Sequence, residues 1–314
     1  MLPASPVYRV DVPATSANLG PGFDTLGVAL GLCNTLTLSL APSGDDTLTF
    51  DPTPEAHGLT PLSHAAARAS LPFVGIQAAW QAAQLALGTT QPRPAFNCHI
   101  TTRLPLARGL GSSSAVLVGG LCLANAWLGN PLPPSHLLTL AVSIEGHADN
   151  VAPALLGGVQ CWSGQQAIAL PWPAEQWQFS VLIPTLATST EASRRQLPPS
   201  VSLATCVAQG QALASWLLAA HTADTALLKW ALTNDALHES HRGQPLGLPL
   251  LRQRLLPDPN VVGVVLSGSG STVLIIHTPA WQPNPQAWKD TVWQGLAPLQ
   301  LPLHQQATQA VQIA

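Results

Sequence analysis

Charged side chains are scarce, at 9% of the 314 residues against about a quarter in an ordinary water-exposed chain. The 12 basic and 15 acidic residues leave a net charge of −3, which offers no electrostatic footprint for nucleic acid or an anionic lipid surface. The apolar fraction of 46% is interleaved with Gly, Pro, Ser, Thr and Gln, which argues for a packed core rather than disorder. A small molecule is the expected partner.

Long apolar runs are also lacking. Ala115 to Leu128 and Val261 to Ile276 are too short to span a bilayer or are broken by Ser, Gly and Asn, so no membrane segment is expected. The opening MLPASPVYRVDV has no basic stretch ahead of an apolar one, so no secretory leader is read. The five cysteines, Cys33, Cys98, Cys122, Cys161 and Cys206, are odd in number and tens of residues apart, which suits neither a disulfide framework nor a zinc site. The cytoplasm is the expected compartment. There is no fixed-period repeat and no low-complexity tract.

From Tyr8 to Phe50 the pattern is strand-like, above all in the alternation of Thr35 to Leu40. Ala41 to Pro61 reads as a loop, Gly75 to Leu87 as a helix ended by Gly88, and Phe96 to Thr102 as a strand. A helix follows over Ala115 to Leu128 and stops at Gly129. Another begins at Pro133-Pro134-Ser135 with Ser135 as N-cap and runs to Glu145. Strands are expected at Val159 to Trp162, Phe179 to Ile183, Val261 to Leu266 and Val273 to His277, with helices over Ser202 to Ala220 and Thr225 to His238. This mixture lacks a regular βαβ rhythm and indicates an α+β chain. The segment Ser163 to Trp177, rich in Pro, Trp and Gln, divides it into domains 1–170 and 171–314.

The segment Pro105-Leu-Ala-Arg108-Gly109-Leu110-Gly111-Ser112-Ser113-Ser114 lies between a strand and a helix. Glycines allow the backbone close to an anion, successive N–H groups form a concave donor cluster, and the helix start adds positive partial charge. A Walker loop would need a lysine, but only Lys229 and Lys289 exist, and neither is near a Gly-rich turn. A dinucleotide fold would need an acidic residue about 20 positions on, and none lies between Glu55 and Glu145. Phosphate charge would therefore be met by backbone N–H groups, magnesium and Arg108.

Two further blocks accompany this loop: Pro13-Ala-Thr-Ser-Ala-Asn18-Leu-Gly-Pro-Gly-Phe-Asp24-Thr-Leu-Gly27 near the start, and Ser267-Gly268-Ser269-Gly270-Ser271-Thr272 near the end. In this order the three blocks resemble the GHMP kinases, from roughly Arg9 to Ile276. The resemblance implies an amino-terminal domain like the second domain of ribosomal protein S5 and a ferredoxin-like carboxy-terminal domain. It also implies ATP between them, its phosphates on the Gly-Ser loop and near Gly268 and Gly270.

Within that family, SANLGPGFDTLG and EGHADNVAPALLGG look most like the homoserine kinase branch. By this resemblance Asn18, Asp24, His147 and Asn150 would surround the amino and hydroxyl ends of L-homoserine. A carboxylate suits an ammonium, and amide and imidazole groups can orient a hydroxyl. Arg194, in Thr-x-x-x-Arg-x-x-Leu-Pro, and Arg242, after a helix, match the family's two arginines for the substrate carboxylate. Asn150 is read as orienting the hydroxyl, with Asp149 as the alternative, a base, and Arg194 beside them at the catalytic centre.

Between residues 56 and 174 only Glu145 and Asp149 are acidic, so Glu145 with Ser113 is the expected magnesium site. Part of the family carries a glutamate about two helical turns before the histidine, where this chain has Thr139. No adenine-pocket asparagine is recognisable in Leu62 to Trp80. Family members are often dimers, so a homodimer is a possible assembly. A kinase for another small alcohol, or a nucleotide-binding regulator that kept the fold without turnover, fits the same motifs.

Overall fold

The computed structural model describes residues 6–51, 66 and 69–314. The Ala41 to Pro61 loop and the Leu62 to Trp80 stretch fall partly outside them.

The first sheet is built from β1 (Tyr8–Ala17), β2 (Leu26–Leu40), β3 (Thr47–Phe50), β4 (Phe96–Thr101), β5 (Val159–Trp162) and β6 (Ala167–Leu170). Leu36 and Leu38 of the alternating stretch are fully buried while Thr35 and Thr37 are not, as a half-buried strand requires. β1 and β2 pair antiparallel, with a register shift between Pro13 and Ala14. Proline has no N–H to give the ladder, and the bulge re-aims the second half of β1 toward the phosphate loop. β3 pairs parallel to β4 inside a segment expected to be loop. A four-residue strand is too short to show a period and is held by its neighbour.

Helices α1 (Leu71–Leu87), α2 (Ser112–Trp127), α3 (Pro134–Glu145) and α4 (Val151–Leu156) belong to the same part of the chain. α1 ends as expected on a left-handed Gly88. α2 starts three residues earlier than the apolar run suggested, because the Ser112 to Ser114 turn is helical. Ser135 is not the cap of α3. Pro133 holds that position and Pro134, its φ preset for a helix, is the first helical residue. α4, a six-residue helix containing Pro153, was not visible in the pattern. At Gly120 a Cβ would lie 2.1 Å from the Pro72 carbonyl oxygen, so α1 and α2 touch backbone to backbone.

The second sheet has the order β10-β7-β9-β8, all antiparallel, from β7 (Gln178–Leu182), β8 (Val261–Leu266), β9 (Val273–His277) and β10 (Leu299–Leu301). β8 and β9 are buried along their whole length, hence their continuous apolar text. Helices α5 (Thr190–Arg194), α6 (Leu203–Thr222), α7 (Thr225–Thr233), α8 (Glu239–Arg242) and α9 (Leu248–Leu255) accompany this sheet. The expected helix to His238 stops at Thr233. There the Asp235 carboxylate accepts hydrogen bonds from the His238 and Glu239 N–H groups and starts a new short helix.

A final strand, β11 (Val311–Gln312), returns to pair with β1, so the tail rejoins the first sheet. One apolar cluster runs from Val10 through Trp177 and Trp216 to Ile276 and joins the two sheets, while a second, around Trp288 and Trp293, fills the far side of the second sheet. Among the described residues one helix, Leu203–Thr222, is long and apolar enough to cross a membrane by length and composition. Its Ala212, Trp216, Ala219 and Ala220 side chains are buried in the protein.

Candidate active site

A cavity of about 440 Å³ lies where the two sheets meet, within the range of small-molecule sites. Gly109 (φ +79°) and Gly111 (φ +65°) are both left-handed and bring the loop onto the start of α2. Gly111 occupies the N-cap without a side-chain cap, leaving the first-turn N–H groups of α2 unclaimed by any cap side chain. A Cβ at Gly111 would lie 1.9 Å from Thr15 Oγ1, and one at Gly109 2.2 Å from the Ser267 carbonyl oxygen.

The loop is clamped by both other motifs. Thr15 N–H donates to Leu110 O (3.2 Å), Ser267 Oγ to Gly109 O (2.6 Å), and Thr272 N–H to Arg108 O (3.1 Å). With that proton on Gly109 O, Ser267 Oγ accepts from the Ser16 hydroxyl, 2.9 Å away. Arg108 lines the cavity, but its Nε donates to Pro184 O and its Nη1 to Leu106 O, which ties the loop to the segment before α5.

At the mouth of the loop Ser113 and Ser114 both donate to Glu145 Oε1, at 2.7 and 2.9 Å. Thr139, one and a half turns earlier on α3, is exposed and returns its hydroxyl to Ser135 O. Gly146 (φ +85°) ends α3 and starts the turn carrying His147, Asp149 and Asn150. Asp149 is 4% exposed and lies 2.8 Å from His147 Nδ1. That hydrogen bond raises the His147 pKa, and burial opposes it. Asn150 Oδ1 accepts from Thr15 Oγ1 at 2.7 Å, so its Nδ2 donor is the end left for a ligand oxygen, beside Asp149 at 3.4 Å.

The third wall is the turn 18–24, with left-handed Asn18, Leu19, Gly20 and Asp24. Asn18 commits both ends of its amide to main chain: Oδ1 accepts from Asp24 N–H (3.0 Å) and Nδ2 donates to Gly268 O (3.1 Å). Arg194 grips Asp24 with both terminal nitrogens, at 2.6 and 2.9 Å. That contact raises its pKa. Arg242, 4% exposed, donates to Ser193 Oγ (2.7 Å) and Gly268 O (2.9 Å), and burial, followed by the Arg194 charge, lowers its pKa. Both guanidinium groups sit over the Phe23 ring, 5.5 and 5.8 Å from its centroid.

Of the residues singled out in the sequence, Asn18, Asp24, Arg108, Gly109, Gly111, Ser112, Ser113, Glu145, His147, Asp149, Asn150, Arg194, Arg242 and Gly268 face this one cavity. Pro105, Leu110, Ser114 and Gly270 are not among the residues that line it. Sequence reasoning passed over Thr15 and Phe23, though both stand inside the first block it quoted. The apolar wall of the cavity carries no motif: Leu48, Phe50 and Ile100 come from the short strands β3 and β4, and Leu71, Pro72 and Val116 from the N-terminal parts of α1 and α2.

Residues 76–158 match the family model of the GHMP kinases N terminal domain. The whole fold superposes on the crystal structure of homoserine kinase from Cytophaga hutchinsonii with a TM-score of 0.81, at 26% identity over 97% of both chains. On the Methanococcus jannaschii mevalonate kinase the TM-score is 0.67, at 13% identity over 94% of this chain and 98% of that one, a likeness of fold. The architecture is thus that of a GHMP kinase. The homoserine kinases of Carboxydothermus hydrogenoformans and Synechocystis sp. are 38% and 36% identical over 267 and 277 residues. These alignments cover 84% and 86% of this chain and 83% and 85% of theirs. The chain belongs to the homoserine kinase family.

Proposed function

We propose that this enzyme transfers the γ-phosphoryl group of ATP to the side-chain hydroxyl of L-homoserine, forming O-phospho-L-homoserine for threonine biosynthesis in the cytoplasm. One observation carries the reading: a lysine-free N–H cradle, an amide donor at Asn150 and a carboxylate–guanidinium pair share one cavity. These are the parts needed to hold a triphosphate, a hydroxyl and a zwitterion.

Phosphoryl transfer is governed by position and charge neutralisation. The N–H groups of residues 109–114 would hold the triphosphate, and the apolar wall of Leu48, Phe50 and Pro72 would take the base. Among the described residues no group of three or more His, Cys, Asp or Glu could hold a metal ion. Magnesium bound through nucleotide phosphates needs only one or two protein carboxylates, so Glu145, with Ser113 beside it, fits that ion. When bound, it neutralises charge on the phosphate oxygens.

Asn150 Nδ2 orients the substrate hydroxyl. Asp149 is buried against His147 and positions the turn, which favours an orienting amide over a carboxylate base. Arg194 and Arg242 supply positive charge for the substrate carboxylate, and Asp24 receives the ammonium.

Purified protein incubated with MgATP and a panel of alcohols, including L-homoserine and mevalonate, is expected to release ADP with homoserine. Turnover of another alcohol in preference to homoserine would overturn the substrate, and nucleotide binding with no turnover on any alcohol would indicate a regulator.

A further inference from the structure

Asp24 and Arg194 are 170 residues apart in sequence, yet both carboxylate oxygens meet both terminal guanidinium nitrogens inside the cavity. A two-point fork of this kind is how an arginine holds a ligand's carboxylate. The aspartate is the natural seat of a ligand's ammonium. The cavity therefore holds both halves of the charge recognition of an α-amino acid, each satisfied by the other.

The surroundings make this pair the exchangeable one. Arg242 already donates to Ser193 Oγ and Gly268 O, with Nη1 at 3.3 Å from His238 Nδ1, whereas the Arg194 contacts to Asp24 are its side-chain hydrogen bonds in this site. Asp24 is held by its backbone, at φ +53° with its N–H on Asn18 Oδ1, so its position does not depend on the arginine. Phe23, under both guanidinium groups, likewise holds Arg194 in place when its partner changes. Arg194 and Asp24 are 38% and 35% exposed, open enough for a ligand to reach both.

Resting on the homoserine reading, we propose that the Asp24–Arg194 pair is a latch that mimics the substrate and is opened without loss only by a zwitterion. An α-ammonium on Asp24 and an α-carboxylate on Arg194 make two ion pairs for the one broken. A ligand carrying the carboxylate alone breaks the latch and leaves Asp24 unpaired, and one carrying the ammonium alone does the same to Arg194. The latch thus selects an amino acid over a plain hydroxy acid or amino alcohol of the same length.

The test compares wild type and Asp24→Asn on L-homoserine and on 4-hydroxybutanoate, which lacks the ammonium. Asparagine keeps the shape and tolerates the left-handed backbone. The expected result is opposite signs: kcat/KM for L-homoserine falls about tenfold or more as the ammonium loses its seat. KM for 4-hydroxybutanoate falls about two- to fivefold, the hold of a partly exposed ion pair now released. If the pair is instead a permanent support for Arg194, the variant weakens both compounds and the latch is overturned. Absence of homoserine turnover by wild type overturns the functional reading, and the latch with it. A second arm needs no variant: 2-aminobutanoate, butanoate and butylamine are compared as competitive inhibitors of the wild-type enzyme. The latch requires the zwitterion to bind while each singly charged compound binds no better than butanol, and a singly charged compound that binds well would sink it.

Discussion

Replacing Gly27 with alanine tests whether the turn carrying Asp149 and Asn150 must stand where β2 places it. Gly27 pairs with Ala17 and Gln160 in the sheet, and its backbone is not in the left-handed region, so alanine introduces no dihedral strain. The effect is steric alone. The new Cβ would lie 1.8 Å from the Asp149 carbonyl oxygen and 3.0 Å from Pro153 Cγ, whereas real Cβ atoms essentially never come within 3.0 Å of a heavy atom. The carbonyl must therefore retreat by about 1.2 Å, the difference between those two distances. A displacement near 1 Å of a positioning group costs on the order of a hundredfold in rate. Overpacking adds about 1–3 kcal/mol of destabilisation. The nucleotide cradle meets that turn through the Thr15–Asn150 side-chain bond but is itself held by the Thr15–Leu110 and Ser267–Gly109 bonds. Steady-state kcat with L-homoserine should thus collapse while nucleotide affinity, followed by titration with a fluorescent ATP analogue, is largely retained. A folded Gly27→Ala enzyme with unchanged kcat would refute the reasoning, since the turn would then not need its present position.

Glu145→Gln should raise the magnesium concentration for half-maximal turnover by about tenfold or more, measured by metal titration at saturating ATP, because a neutral amide is a weak ligand for a hard cation. Arg242→Lys should destabilise the protein by roughly 2 kcal/mol in denaturant titrations and raise KM for homoserine, since one ammonium cannot span Ser193 Oγ and Gly268 O together. Burial lowers the pKa of both His277 and His304 from the usual 6.5. Their contribution to stability is therefore complete above 6.5 and is lost as pH falls toward the folded-state values, because the unfolded chain takes up protons the folded one resists. His147, whose pKa is raised, acts in the opposite direction. Unfolding free energies measured across this range should show a smaller decline toward acid in His277→Gln than in wild type, by up to about 1.4 kcal/mol per pH unit where the proton is fully exchanged. An unchanged slope would remove His277 as a source.

Features decided within a few residues were legible in the text of the chain. The Gly-Ser loop before a helix, the left-handed stop at Gly88 and the alternation of Thr35 to Leu40 are local events. There the side chain or its absence acts on its own backbone. The three motif blocks together with EGHADNVAPALLGG likewise hold more than half of the residues that line the cavity. Elements too short to show a period, β3 and α4, exist because a neighbouring strand or turn holds them, and the break at Asp235 depends on which backbone N–H groups its carboxylate could reach.

Only the tertiary structure decided the pairings. Arg194 closes on Asp24, Arg108 binds main-chain carbonyls, Asn18 is committed to Gly268 and Asp24, and Glu145 meets Ser113 and Ser114. Composition could supply the charges and amides but not their partners. A hydrogen bond is settled by a few tenths of an ångström, and those distances are set by how the two sheets pack around a shared core.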